Sequence, residues 1–291
     1  MLGQLKEPLT EIFPYGKWEP RMDSLAARYA GADPFPHIVL DDFLNPEVLD
    51  RVLQEFPGLN DDQWIHYVHV NERKYGRTKR ETFSQITGAV VDELNSPRFV
   101  AFLMRLTGIK NLFADFSFEG GGLHQSPRGG YLNIHADFTV HPHHRNWQRR
   151  VNVLVYLNKD WPDAYGGHLE LWDRQMARCV HKVAPLFNRA VIFNTDADSF
   201  HGHPEPLQCP EGMSRKSIAL YYFTEEASPL VRSTEYRGRP QDGLKKVGIF
   251  ADKMALRLYD RVKRLTGIND EWVSRTLRSI DTFKRRFRGR S

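Results

Sequence analysis

Residues 36–40 (PHIVL) form a short β-branched run, and the Asn45-Pro46 pair after it supplies a capping side chain and a proline at the first helical position. Val48, Leu49, Val52, Leu53 and Phe56 then recur at helical spacing until Pro57-Gly58, which predicts a helix ending near Phe56. A second helix is predicted over residues 81–94. Ser96-Pro97 repeats the cap and proline, Phe99, Phe102, Leu103 and Leu106 share one face, and Gly108 terminates the third helix. From residue 112 the period changes. Short β-rich segments at 112–118, 131–138, 151–157, 168–172, 190–193 and 216–223 alternate with Gly and Pro turns. Helices followed by strands without intervening helices predict an α+β chain, its strands forming a sandwich or jelly roll with the helices packed on a sheet. Residues 251–287 return to the helical period, with Met254, Leu258, Val262 and Leu265 on one stripe, a break at Gly267, then Trp272, Val273, Leu277 and Ile280. Two basic amphipathic helices follow from that pattern.

A chain of 291 residues, 41% hydrophobic and 12% aromatic, buries a full core. The expected division is an N-terminal extension at 1–34, one main domain at 35–230 and a basic helical extension at 231–291. No apolar run approaches the roughly 18 residues of a membrane span, and the first residues lack a signal-peptide core, which leads to a cytoplasmic expectation. Cys179 and Cys209 suggest neither a disulfide framework nor a thiolate metal site. The net charge of +5 is concentrated at the end, where residues 251–291 carry twelve Lys/Arg against five Asp/Glu, a net +7. A uniformly basic nucleic-acid channel is therefore not indicated. The simpler expectation for the last helices is that their apolar stripes dock on the main domain while Lys284, Arg285, Arg286, Arg288 and Arg290 stay solvated. The alternative is peripheral contact with an anionic membrane.

The chemistry concentrates in His135-Ala136-Asp137 and, sixty-odd residues on, His201. Two imidazoles and a carboxylate suit a non-haem Fe(II) with open positions for a chelating co-substrate and O2, which a closed four-ligand structural site lacks. Strand alternation puts Tyr131, Asn133, His135 and Asp137 on one face. His203 competes with His201 for a ligand position and is otherwise a neighbour of the metal site or a mouth residue. His141, His143 and His144 sit in a Pro- and Arg-containing loop and are expected to be solvated or substrate-facing. Arg215 opens a strand in which Ser217 and Ala219 share its face, leaving room for a bidentate contact with a carboxylate. Lys216 is its rival.

In their order along the chain, His135-x-Asp137, Arg149-x-x-Asn152, Tyr156-Leu-Asn158 with Trp161, the turn Gly166-Gly167-x-Leu169, His201 and Arg215 resemble the Fe(II)/2-oxoglutarate-dependent dioxygenases of the prolyl 4-hydroxylase-like type. The likeness spans roughly residues 35–225. It implies a double-stranded β-helix (jelly-roll, cupin-like) core. It further implies Fe(II) held by His135, Asp137 and His201, O2 as co-substrate and ascorbate as an optional reductant. Arg215 then binds the far carboxylate of 2-oxoglutarate, with Tyr156 hydrogen-bonded to it. Two positions depart from the pattern: Asn152 stands where many relatives have Thr, and Tyr131 lies four residues before His135 rather than three. Tyr131 and Asn133 are accordingly candidates for 2-oxoglutarate contact. Asp137 disfavours a halogenase, since halogenases of this fold carry a small residue there.

The resemblance implies hydroxylation of an unactivated C–H bond of a small molecule, glycan or peptidyl residue, with release of succinate and CO2. Loops at 124–130, 141–147 and 196–203, rich in His, Arg and Trp, would select the substrate without naming it. A nucleic-acid demethylase is the enzymatic alternative and would require a basic, aromatic-lined groove around the metal. A regulatory module that binds 2-oxoglutarate and metal without turnover is the non-enzymatic one.

Overall fold

Aromatic residues near the start of the chain anchor the helical layer. In the computed structural model, which describes residues 11–266 and side chains as far as residue 255, α1 (Tyr15–Trp18) and α2 (Met22–Ala30) bury Tyr15, Trp18, Leu25 and Tyr29. Phe13 meets the rings of Tyr15, Phe43, Phe99 and Phe102 edge-on at 4.8, 5.2, 4.9 and 4.9 Å. Truncating such a ring to Ala costs about 3–5 kcal/mol. Residues assigned to the N-terminal extension thus share a core with the main domain.

After β1 (His37–Leu40), Asn45 caps α3 (Pro46–Gln54) by accepting the Glu47 N–H. The hairpin of β2 (Ile65–His69) and β3 (Glu72–Arg77) was not visible to periodicity, because its sequence, IHYVHVNERKYGR, mixes polar residues into both faces. The helix expected from residue 81 starts later. Arg80–Thr82 make one 3-10 turn, and Ser84, accepting from Thr87 N–H, starts α4 (Gln85–Leu94). Ser96 and Gly108 bound α5 (Pro97–Thr107) as the pattern predicts, Gly108 with φ of 73°.

The strand expected at 112–118 shrinks to β4 (Phe113–Ala114), since the Asp115 carboxylate accepts from Ser117 N–H and Glu119 N–H and folds the rest into a turn. Then come β5 (Gly122–Pro127), β6 (Tyr131–Ala136), β7 (Trp147–Tyr156), β8 (Leu169–Trp172), β9 (Cys179–Val183), β10 (Ala190–Asn194), β11 (His201–His203) and β12 (Ser214–Glu225). The order β1-β10-β7-β12-β5 forms one antiparallel layer and β6-β11-β8-β9 the other, with β3 bonded to both β5 and β6. This is the double-stranded β-helix. Helices cover one layer: Val151, Val153 and Val155 of β7 and Ile218, Leu220 and Tyr222 of β12 join the helical core. Alternation turns Asn152 and Tyr156 of β7, and Arg215, Ser217, Ala219 and Tyr221 of β12, to the interior between the layers.

The end of the described chain also touches this core. β13 (Glu235–Tyr236) pairs with β6, and α6 (Lys245–Thr266) buries Ile249 and Lys253. The helix starts before residue 251, and Met254, expected on a docking stripe, is exposed. The second helix, expected to carry Trp272, Val273, Leu277 and Ile280, lies outside the described residues.

Candidate active site

β6 and β11 lie side by side with His201 paired to His135, and Asp137 follows one residue beyond the end of β6. That register brings the two imidazole rings to 4.5 Å between centroids. Each ring is oriented from behind by its own strand. His135 Nδ1–H donates to the Asn133 carbonyl and His201 Nδ1–H to the Ser199 carbonyl, both at 2.9 Å. A carbonyl only accepts, so in the neutral ring the proton sits on Nδ1 and Nε2 carries the lone pair. These stand 3.4 Å (His135) and 3.5 Å (His201) from the two carboxylate oxygens of Asp137. One ligand atom from each of the three residues lies within 4.8 Å of the others, an arrangement that can hold a metal ion.

Asp137 is fixed before any metal arrives. Its Oδ2 accepts from Arg149 Nη2 at 3.0 Å and from Asn152 Nδ2 at 2.7 Å, while Arg149 also donates to Asn152 Oδ1. Burial alone would raise the carboxyl pKa, but the cation of Arg149 and the adjacent His201 and His135 hold it well below the usual carboxylate range. Burial pushes His201 down to about 4, so it is neutral and ligand-competent at pH 7. The Arg149 guanidinium is sandwiched between the rings of Phe138 and Tyr221, 4.6 and 3.4 Å from their centroids. The sequence marked Arg149 and Asn152 only as part of a family pattern. Their contact with Asp137 is a product of the fold, because a loop between β6 and β7 separates them in the chain.

At the other end of the same two strand faces, Arg215 Nε donates to the Gly167 carbonyl at 2.7 Å and Arg215 Nη2 to the Tyr156 hydroxyl at 3.1 Å. Burial raises the Tyr156 pKa, so the phenol keeps its own proton to donate. Arg215 is buried, yet among the described residues no carboxylate pairs with it. A buried guanidinium without a counter-ion is costly and fits an anionic guest with two oxygens. Ser217 and Ala219, both small and buried, separate Arg215 from Tyr221 on this face. Gly167 permits the approach: at φ of 77°, an added Cβ would lie 2.9 Å from Arg215 Cδ. Lys216 points elsewhere, its ammonium above the Phe56 ring at 5.9 Å.

Several other candidates fall in different places. Tyr131 and Asn133, considered above for co-substrate contact, instead donate to the turn of the β2–β3 hairpin, Tyr131 to the His69 carbonyl and Asn133 Nδ2 to the Val70 carbonyl. His203 is buried, and burial with Arg215, Lys74 and His135 nearby holds its pKa well below 6.5. The 141–147 loop corrects an expectation. His141 is not solvated but buried, 3.5 Å from Asp115, and His144 stacks on Trp147 at 3.8 Å. His143 remains exposed, 3.5 Å from Glu119. Arg128 is a loop strut donating to the Cys209 carbonyl at 2.9 Å. Sequence reasoning passed over Lys74, which pairs with Glu72 at 3.0 Å and lies close enough to Asp137 and Tyr221 for their charges to act on its ammonium. Its only signal was the i, i+2 placement of two opposite charges on one strand.

The profile of the 2OG-Fe(II) oxygenase superfamily matches residues 121–223, from β5 to β12. A prolyl hydroxylase from Trichoplax adhaerens, solved with a hypoxia inducible factor peptide fragment, is 21% identical with a TM-score of 0.50, covering 72% of this chain and 91% of its own. A Pseudomonas putida prolyl-4-hydroxylase is 16% identical at a TM-score of 0.49, with 69% and 99% covered. Prolyl 4-hydroxylase from Phytophthora capsici gives 21% and 0.48, with 90% and 79% covered. At 21% identity and a TM-score of 0.50, the likeness to the Trichoplax adhaerens structure speaks to the fold alone, and no curated protein matches the sequence. The matched segment contains both histidines and the aspartate of the cluster as well as Arg215, so residues 121–223 are similar to the 2OG-Fe(II) oxygenase superfamily, whose members use Fe(II), 2-oxoglutarate and O2.

Proposed function

We propose that His135, Asp137 and His201 hold Fe(II), and that Arg215 with Tyr156 holds the distal carboxylate of 2-oxoglutarate. The domain then hydroxylates an unactivated C–H bond of a small molecule, glycan or peptidyl residue and releases succinate and CO2. The observation that carries the reading is buried Arg215, without a counter-ion among the described residues, on the strand faces that also present the partners of Asp137. Two imidazoles and one carboxylate match Fe(II) in donor type and leave positions open.

Bound there, the metal and co-substrate supply the oxidising chemistry, and the protein's residues supply placement. Asn133 and Ser199 carbonyls keep both imidazoles in the tautomer that presents Nε2. Arg149 and Asn152 stop the Asp137 carboxylate from rotating. Tyr156 and the free edge of Arg215 would hold the distal carboxylate and so limit the co-substrate to one orientation. His135, His201, Tyr156 and Arg215 are all buried, which limits the access of bulk water to them.

The test is O2-dependent conversion of 2-oxoglutarate to succinate by the Fe(II)-loaded protein over a panel of prolyl peptides, glycans and small acids. Succinate formed in step with a hydroxylated product supports the reading. Absence of succinate at saturating 2-oxoglutarate, with or without a substrate, contradicts it.

A further inference from the structure

The tip of the β2–β3 hairpin and one side of α6 form an open apolar surface. Leu244, Val247, Phe250 and Met254 are 89%, 67%, 58% and 47% exposed. Their spacing of three, three and four residues aligns them along one side of the helix and its leading turn. Val68 and Val70 on the hairpin are also exposed, and Val70 packs beside Gly248 of α6, which joins the two groups. The junction is a fixed one: Asn71 Nδ2 donates to the Ile249 carbonyl at 3.2 Å and to Asp252 at 2.6 Å, and His69 bonds to Asp252 at 2.8 Å. Scattered exposed apolar residues are ordinary, but a connected group of six on a latched surface marks an interaction site.

Charge selects the occupant. α6 carries seven Lys/Arg against two Asp/Glu, and residues 267–291 carry seven against three. Both segments are net basic, so charge disfavours either the chain's own end or a second copy of this face as the occupant. An anionic lipid surface satisfies both the apolar stripe and the cations. In the sequence, Leu258, Val262 and Leu265 continue the stripe's spacing, and Phe283 and Phe287 stand among Lys284, Arg285, Arg286 and Arg288. No helix among the described residues is long and apolar enough to cross a membrane.

We propose that this face docks on the surface of an anionic bilayer, with Val247, Phe250 and Met254 entering the headgroup region. The hairpin that shares the face also carries Lys74, close enough to Asp137 for the carboxylate's charge to act on its ammonium, so docking holds the β3 side of the active site near the lipid surface. The proposal is independent of the metal-centre reading.

Flotation of the full chain with phosphatidylcholine vesicles, with and without phosphatidylserine, tests it. The chain is expected to float with the phosphatidylserine vesicles and not with phosphatidylcholine alone. The combined variant Val247→Glu, Phe250→Glu and Met254→Glu should lower the partition coefficient about tenfold or more while the circular dichroism spectrum is unchanged. Phe250→Ser alone should give a smaller loss in the same direction. Failure of the wild type to float with either vesicle overturns the proposal. So does flotation that the combined variant leaves intact, or a wild-type self-association that the variant abolishes without any vesicle binding.

Discussion

Arg149 Nη2 stands 3.0 Å from Asp137 Oδ2, with the Tyr221 ring 3.4 Å beneath its guanidinium carbon, so the carboxylate is held by a buried cation that is itself held by an aromatic face. The shared oxygen also receives Asn152, which leaves the aspartate little rotational freedom. Replacing Arg149 with Gln should raise the Fe(II) dissociation constant about 10- to 100-fold, as loss of a partner that orients a metal ligand does elsewhere. Isothermal titration under anaerobic conditions reads this directly, and an unchanged constant would remove Arg149 from the account.

Asp137→Ala removes a proposed ligand and also the only carboxylate paired with buried Arg149 among the described residues. Metal binding and succinate formation should both be lost. The stranded guanidinium should also cost about 3–5 kcal/mol of folding stability, measurable by urea denaturation of the metal-free protein. Wild-type metal content in the variant would contradict the ligand assignment.

Arg215→Met should act on the other end of the pocket. Two charge-assisted hydrogen bonds lost from a buried site correspond to about 10²-fold weaker 2-oxoglutarate binding, with Fe(II) affinity unchanged. Gly167→Ala should produce a milder form of the same defect, because the new Cβ would press on Arg215 Cδ at 2.9 Å and on Leu207 Cδ2 at 2.6 Å. A variant in which iron and 2-oxoglutarate affinities fall together would show that the two ends are not separable.

His124 gives the metal-free protein a pH dependence. Burial, then the nearby Lys74 ammonium, lowers its pKa to about 3, and its Nε2–H donates to the Gly121 carbonyl at 3.3 Å. The unfolded chain takes up a proton near pH 6.5 that the folded chain refuses until about pH 3, so stability is full above 6.5 and declines as pH falls through that window. The slope from this one group is at most about 1.4 kcal/mol per pH unit. Denaturation midpoints between pH 7 and 4 should fall more steeply for the wild type than for His124→Gln, and equal slopes would contradict the assignment.

Local signals explain what was legible in the sequence. Asn45-Pro46 and Ser96-Pro97 encode their own caps, and the valines at 151, 153 and 155 announce a strand with one face in a core, so α3, α5 and β7 could be read directly. The β2–β3 hairpin could not, because it mixes His, Arg, Lys and Glu into both faces and is specified by its partners β5 and β6. At the site, His135-x-Asp137 and His201 were visible as residue types at a spacing, but the register that pairs His201 with His135 is a tertiary fact. The same holds for Tyr131 and Asn133, whose alternation with His135 suggested the pocket until a neighbouring turn, at His69 to Asn71, took their hydrogen bonds. His141 misled for the opposite reason: a histidine-rich loop reads as exposed, and only the fold brings Asp115 to it.

Anaerobic titration of the purified protein with Fe(II) and then 2-oxoglutarate tests the central claim most directly. The expected result is a visible metal-to-ligand charge-transfer band that forms only with both present, decays when O2 is admitted and leaves succinate. A folded protein that binds Fe(II) and 2-oxoglutarate without that band would contradict the account, because the co-substrate would then not be chelating a metal held by His135, Asp137 and His201.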